Sequence, residues 1–274
     1  MQPLTINEMK EKQLKMLIEF DKICKTHNLK YSLCGGTLLG AVRHGGYIPW
    51  DDDIDVMMPR PDFEKIMKIK MKNNYYFQDP MVQEEDIPYI YSYGKMFDRN
   101  IKLIEFPNSK NIESYLYIDI FPIDGIPVNE KTHLKLYNKV HRLVLLNRMF
   151  EISFYNQKDK TKSWTKKKFW NFIWKIRNIL PSKFIMKKIN KIVHKRNFYY
   201  GEKVGSLVAG YGAQENFMKS DFDLTEMNFE GISFKVIKGY DNYLRALYKN
   251  YMELPPKEKR IAAHDCIAYD VLKD

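Results

Sequence analysis

Tyr31-Ser32-Leu33-Cys34-Gly35-Gly36-Thr37, followed after a short interval by Trp50-Asp51-Asp52-Asp53-Ile54-Asp55-Val56-Met57-Met58, is the most informative part of the chain. Tyr31 to Cys34 is an apolar run halted by two glycines, which predicts a strand, and Thr37 to Arg43 predicts a short helix. Gly45-Gly46-Tyr47-Ile48-Pro49 is loop chemistry. The second stretch sets four acids among apolar side chains, where a solvated acidic run would have polar flanks. If it is extended, alternation puts Asp53 and Asp55 on one face, joined by Asp51 if the strand starts early enough, with Asp52 on the other. Carboxylates crowded on a half-buried strand repel one another and lose hydration. A cation relieves both penalties, and oxygen-only ligands favour Mg2+ or Mn2+ over zinc. A calcium loop or a plain acidic turn is the alternative. Gly35-Gly36 at a helix start would let a phosphate approach the backbone N–H groups.

Outward from there, Thr5-x-x-Glu8 reads as a capping box opening a helix to about His27. Pro59 and Pro61 precede a helix over Asp62–Met71. Tyr75–Gln78, Ile90–Phe97, Ile101–Glu105 and Tyr115–Phe121 have strand composition. Residues 131–155 are helical in pattern, Asn228–Phe234 suggests a hairpin, and Asp241–Lys249 a last amphipathic helix. Asp119, in Tyr117-Ile118-Asp119-Ile120-Phe121, is a third strand-borne acid that suits a metal-assisted phosphoryl transfer site. Asp124 in Pro122-Ile123-Asp124-Gly125, and Asp98, read as turn residues. The expectation is an α+β fold with a mixed sheet flanked by helices. Its core would be residues 1–155 and 201–274, interrupted by an insert at 156–200.

Charge is unevenly distributed over the 274 residues: the net of +11 arises almost wholly from 158–196, which hold 14 Lys and Arg against the single acid Asp159. Phe169, Phe172, Ile173, Ile176, Ile179 and Leu180 recur there at helical spacing with Trp170 and Trp174, Pro181 breaks the pattern, and Ile185, Ile189, Ile192 and Val193 resume it. A basic amphipathic pair of this kind suits either an anionic membrane surface or a helical hairpin packed on the core with a lysine face in water. No nucleic-acid recognition motif accompanies it, so no nucleic-acid partner is expected. No apolar run is long enough to span a bilayer, and the N-terminal residues lack a secretory pattern. Cys24, Cys34 and Cys266 have no metal-site spacing, so a reducing cytoplasm is expected. P-loop, dinucleotide-binding and serine-hydrolase signatures are absent.

The run Tyr31 to His44, its continuation Pro49 to Asp55, and the later Tyr251-Met252-Glu253-Leu254-Pro255-Pro256 with Arg260 and His264 resemble the LicD family. That resemblance covers most of the chain outside roughly 156–200. It implies a nucleotidyltransferase-like core, a metal pair on Asp53 and Asp55, and a third carboxylate on Asp119. It also implies a CDP-alcohol donor, CDP-choline favoured, and a hydroxyl acceptor on a glycan or glycolipid. Gly35, Gly36 and Thr37 would hold the donor diphosphate, and Asp119 would also take the proton of the attacking hydroxyl. Arg43, His44, Lys95 and His264 are the basic candidates near the donor. Ion pairing competes for Arg43 and Lys95, and loop packing for His44. A choline group would want an aromatic box, with Tyr75, Tyr76, Tyr89, Tyr91, Tyr93, Trp50 and Tyr211 available. The expected enzyme sits peripherally on the inner face of the membrane through 158–196. Two rivals use the same features differently: a nucleotidyltransferase releasing pyrophosphate, and a non-catalytic membrane-surface binder.

Overall fold

Thr5 starts the first helix, α1 (Ile6–Thr26), by the reciprocal pattern expected: its hydroxyl accepts from the Glu8 N–H at 3.3 Å, and the Glu8 carboxylate accepts from the Thr5 N–H at 2.9 Å. The computed structural model describes residues 2–71, 73–81, 89–106, 112–158, 162–209, 212–261 and 265–272. After α1 come β1 (Ser32–Leu33), α2 (Gly35–His44), β2 (Asp55–Pro59), α3 (Arg60–Ile66), β3 (Tyr75–Gln78), β4 (Gly94–Glu105) and β5 (Ile112–Ile126). Three helices follow, α4 (Glu130–Lys158), α5 (Trp164–Ile179) and α6 (Ser182–Val193). The chain then runs through β6 (Lys203–Gly205), β7 (Asn216–Met218), the hairpin β8 (Leu224–Phe229) and β9 (Ile232–Ile237), α7 (Tyr240–Tyr248) and β10 (Cys266–Asp270).

The fold is α+β around a mixed sheet in the order β1-β2-β5-β4-β10. Only β2 and β5 run parallel in that row. The outer edge of β4 is covered in two halves, Lys95 to Asp98 by β3 and Ile101 to Glu105 by β10. The join is a register irregularity against β5 between Asp98 and Lys102. The segments expected as separate strands at 90–97 and 101–105 are therefore one bent strand beginning at Gly94. Asp98, expected in a turn, is buried at the bend, where it accepts from the Asn100 N–H at 2.9 Å and from Asn74. Bulges bend a strand and leave backbone groups needing such partners.

Asp124 also departs from its turn reading. β5 runs through it, and the side chain is 0% exposed. Arg60 forks onto it, with Nη2 donating to Oδ2 at 2.7 Å and Nε to the other oxygen. The countercharge from α3 is what the local sequence conceals. β6, β7 and β10 were not anticipated either; each is short and takes its place from its neighbours.

Helices α4 to α6 gather a second apolar cluster, with Val140 and Phe150 of α4, Ile173 of α5, and Ile185, Met186, Ile189 and Val193 of α6. Pro181 separates α5 from α6 as expected. The two helices differ in packing: α6 buries a full face, whereas α5 buries Ile173 and exposes Trp164, Phe169, Phe172 and Ile179, the last at 84%. Cys24, Cys34 and Cys266 are free thiols. Among the described residues, no helix is long and apolar enough to cross a membrane.

Removing one partner of a buried ion pair strands the other charge. Asp124→Asn is expected to destabilise the fold by about 3–5 kcal/mol, a fall in Tm of roughly 10 °C in a thermal melt. Arg60→Met combined with Asp124→Leu should recover most of that loss.

Candidate active site

Sequence places Asp51 to Asp55 next to the start of α2, and the geometry follows from how each is anchored. β2 begins only at Asp55, so residues 51–54 approach it as a loop and strict alternation does not apply. Asp51, Asp52 and Asp53 each bring a ligand oxygen within 4.8 Å of the others. Asp52, expected to face away, thus joins the cluster, because its backbone is turned by α1: Gln13 Nε2 donates to the Asp52 carbonyl at 3.1 Å and to that of Tyr117 at 3.4 Å. Lys10, further back on α1, feels Asp51 and Asp52, although burial lowers its pKa more than they raise it.

The glycines serve close approach. Gly35 opens α2 with φ +53°, a left-handed conformation suited to glycine. A Cβ on Gly36 would lie 2.5 Å from Asp51 Oδ2, so only glycine lets that carboxylate sit against the helix start. The Gly35 N–H donates to the Tyr243 hydroxyl at 3.3 Å, and that hydroxyl donates to Glu215 at 3.0 Å. Thr37 accepts from the Asp55 N–H at 2.8 Å and so ties α2 to the acid strand.

Asp55, Asp119 and Lys95 form one row across three neighbouring strands, since Asp55 registers with Asp119 and Asp119 with Lys95. All three are buried, Lys95 completely. Lys95 Nζ lies 2.5 Å from Asp119 Oδ1, and the Tyr93 hydroxyl donates to Oδ2 at 3.3 Å. Among the described residues, no cation is bonded to Asp55 in the same way. Burial, then the charges of Asp53, Asp119 and Asp51, push its pKa well above the ordinary carboxylate range, against a smaller opposing pull from Lys95. The donor set, all carboxylate oxygen and short of positive charge, fits a hard divalent cation. Asp53 belongs to the trio within 4.8 Å, and Asp55 and Asp119 adjoin it.

Two cavities reach these acids. One, of about 730 Å³, meets them at Asp51 and is walled by Gly36, Arg43, Trp50 and the segment Tyr248–Pro256. The other, of about 310 Å³, meets them at Asp119 and runs beneath α4. Arg43 borders the first, with Nη1 donating to the Tyr251 carbonyl at 2.7 Å and Nε to His44 Nε2 at 2.9 Å. It therefore fastens the Tyr251-to-Pro256 motif to α2. His44 stands edge-on to Trp50, its pKa lowered by burial and by Arg43. Arg260 lies 5.5 Å from the Trp50 ring centroid. Thus Gly35, Gly36, Thr37, Asp53, Asp55, Asp119 and Lys95 converge, while Arg43 and His44 belong to the wall of the larger cavity. His264 and Tyr211 lie outside the described residues. Gln13, Lys10 and Tyr117 went unrecognised; only their fold position brings them to the acids, and no local motif marks them.

A known protein resembles this chain over nearly all of its length. Residues 28–143 match the family described as LicD/FKTN/FKRP, nucleotidyltransferase domain. The chain is 31% identical over 278 residues to the lipopolysaccharide cholinephosphotransferase LicD of Haemophilus influenzae, an alignment covering 98% of this chain and 99% of that protein. It therefore runs through the basic insert as well. An uncharacterised protein of Rickettsia typhi is 30% identical over 137 residues, covering 48% of this chain and 41% of its own length. With similarity across nearly its full length and the glycine pair and aspartates inside the matched region, the chain belongs to the LicD family.

Proposed function

We propose that this protein transfers phosphocholine, or a related alcohol phosphate, from a CDP-alcohol to a hydroxyl of a cell-surface glycan or glycolipid precursor, releasing CMP. The observation that carries this reading is the aspartate cluster packed on Gly36 and open to two cavities, which suits a donor with a diphosphate at its centre and a different group at each end. The activity of the Haemophilus influenzae relative supplies the transferred group.

In this reading Asp53 and Asp55, with Asp119 adjoining, hold Mg2+ or Mn2+, which supplies charge neutralisation for the diphosphate when bound. The α2 start brings the backbone of Gly35 and Gly36 beside the phosphates, and Thr37 keeps the Asp55 backbone in place. Lys95 orients Asp119. A carboxylate offers about four acceptor sites, so that pairing leaves Asp119 able to take the proton of an incoming hydroxyl. The cavity at Arg43 and Trp50 takes the nucleoside side of the donor.

The outward face of α5 suits the membrane part of the reading. Trp164, Phe169 and Phe172 are exposed among Lys166, Lys167 and Lys168, as expected of a helix lying on an anionic surface. Its partner α6 packs its apolar face on the core instead. A glycolipid acceptor assembled at such a surface would be brought to the site.

Three measurements test these statements. Incubated with Mg2+ and CDP-choline, the protein should release CMP, and Asp53→Asn should slow this by roughly a hundredfold or more; pyrophosphate released from CTP instead would make it a nucleotidyltransferase. Because the Asp55 pKa is raised in the fold, its ionised form destabilises the metal-free protein once pH exceeds the ordinary carboxylate range. Asp55→Asn should therefore raise the metal-free Tm at pH 8 by about 3 °C, whereas Mg2+ at a hundredfold excess over Kd should raise the wild-type Tm by about 5 °C and the variant's far less. Finally, changing Lys166, Lys167 and Lys168 to Glu should weaken binding to phosphatidylglycerol vesicles by about a hundredfold. Unchanged vesicle binding would remove α5 from the membrane role.

A further inference from the structure

Helix α4 turns Val144, Leu145 and Arg148 to the cavity at Asp119, and turns Asn147 and Glu151 to another of about 320 Å³, where α5 passes into α6. No residue placed at the acids lines this second space. Six buried side-chain polar atoms lack a hydrogen-bond partner among the described residues, and three of them belong to this one wall: Asn147 Oδ1, Arg177 Nε and Ser182 Oγ. Each such atom loses hydration without return, so three in one wall mark a place that a ligand completes. Asn147 is 1% exposed. The buried Glu151 carboxylate accepts from Arg177 Nη2 at 3.1 Å, which balances the guanidinium charge but leaves its Nε–H unmet. Lys183, also in the wall, adds a positive charge. The start of α6 adds a partial one, since no side chain caps it and no acid stands in its first turn. The Phe184 N–H there is taken by the Pro181 carbonyl at 2.9 Å, and those of Ser182 and Lys183 belong to residues of the wall.

We infer that this cavity binds a phosphate ester that also carries a free hydroxyl. The phosphate meets Arg177 Nε, Ser182 Oγ and the start of α6, and the hydroxyl donates to Asn147 Oδ1. The inference does not depend on the transferase reading. The three unmet atoms select the ligand by their kind. Two are donors beside net positive charge, which calls for an anion whose several oxygens can face two helices at once. The third is an acceptor, which a bare anion would leave unmet. A cation would face Arg177 and Lys183, and an apolar ligand would satisfy none of the three. This chemistry has two sources, the headgroup of a glycerol-bearing phospholipid and a soluble polyol phosphate. The surroundings favour the lipid: Ile179 and Leu180 before the turn and Phe184 after it are all exposed, Phe184 at 59%. Apolar side chains therefore flank the Pro181–Lys183 part of the wall, as a segment dipping below the headgroups requires.

The test measures binding of the full chain to vesicles containing equal fractions of phosphatidylglycerol or phosphatidylserine, which carry the same net charge but differ in the glycerol hydroxyls. Surface lysines on α5 act on both alike, so the ratio of the two affinities isolates the cavity. The wild type should prefer phosphatidylglycerol by about tenfold, the scale of one charge-assisted hydrogen bond. Ser182→Ala, and Arg177→Lys, which keeps the charge beside Glu151, should each remove most of that preference and leave phosphatidylserine binding unchanged. Ser182→Ala deletes an unpaired hydroxyl and should not lower Tm, so loss of fold cannot imitate the result. A soluble ligand gives a different pattern that also supports the site. The two lipids then bind equally, while glycerol 3-phosphate at a hundredfold excess over Kd, without Mg2+, raises the wild-type Tm by about 5 °C and that of Ser182→Ala far less. Equal lipid binding with no effect of glycerol 3-phosphate overturns the inference, and the cavity then holds water alone. A preference that survives both variants overturns it too. Inorganic phosphate that stabilises as well as glycerol 3-phosphate overturns the hydroxyl assignment at Asn147.

Discussion

Three ionisable side chains buried on one row of a sheet set the terms for everything around them. Lys95, Asp119 and Asp55 stand on neighbouring strands in register, and among the described residues only one of the two acids has a cation bonded to it. Asp55, next to the Asp51–Asp53 loop, is buried among like charges, which disfavours its ionised form. The surrounding fold holds it in place at several independent points. Gln13 fixes the loop backbone, Thr37 the Asp55 N–H, and the Asp119 N–H reaches the Ile54 carbonyl at 2.9 Å. Strain of this kind concentrates at functional sites because the structure around them over-determines it.

Much of this was legible in the sequence where local pattern and function coincide. The capping box, the strand and glycine pair, the acid run among apolar residues and Asp119 between isoleucines all declare themselves within a few residues. What escaped is non-local. Asp52 joins the acids because α1 turns its backbone, and Asp124 lies in a strand because an arginine on α3 neutralises it. Tyr117 of β5 and Glu105 of β4 line one cavity although twelve residues apart, and no reading of 14% aromatic residues picks those rings from the rest. Thr37 also accepts from the Asp55 N–H of the acid strand, a contact that no sequence pattern marks.

The basic insert shows how a single compositional signal can cover two kinds of packing. Both helices are amphipathic and lysine-rich, so period and charge alone treat them alike. Packing separates them: α6 closes a core with α4, and α5 rides outside with its aromatic rings in water. Lys168 lies 3.7 Å from the Trp164 ring centroid and Arg177 bonds to Glu151 at 3.1 Å, so even the outer helix has part of its charge organised by neighbours.

The edge of β4 carries a kinetic consequence. This strand holds Lys95 at one end and Glu105 at the other, and its outer half opposite Ile101 to Glu105 is closed only by β10, drawn from residues 266–270. β10 in turn is met by the beginning of the chain, where the Leu4 N–H donates to the Ala268 carbonyl at 2.8 Å and Lys12 reaches Asp270 at 2.7 Å. During synthesis, then, more than a hundred and fifty residues must emerge after β4 before its hydrogen-bonding edge is covered. Until then a strand with apolar residues at Ile101 and Leu103 presents an open template to other nascent chains. The strand that bears the site is therefore also among the last to be made safe from aggregation, and a truncation removing only β10 would act first through solubility.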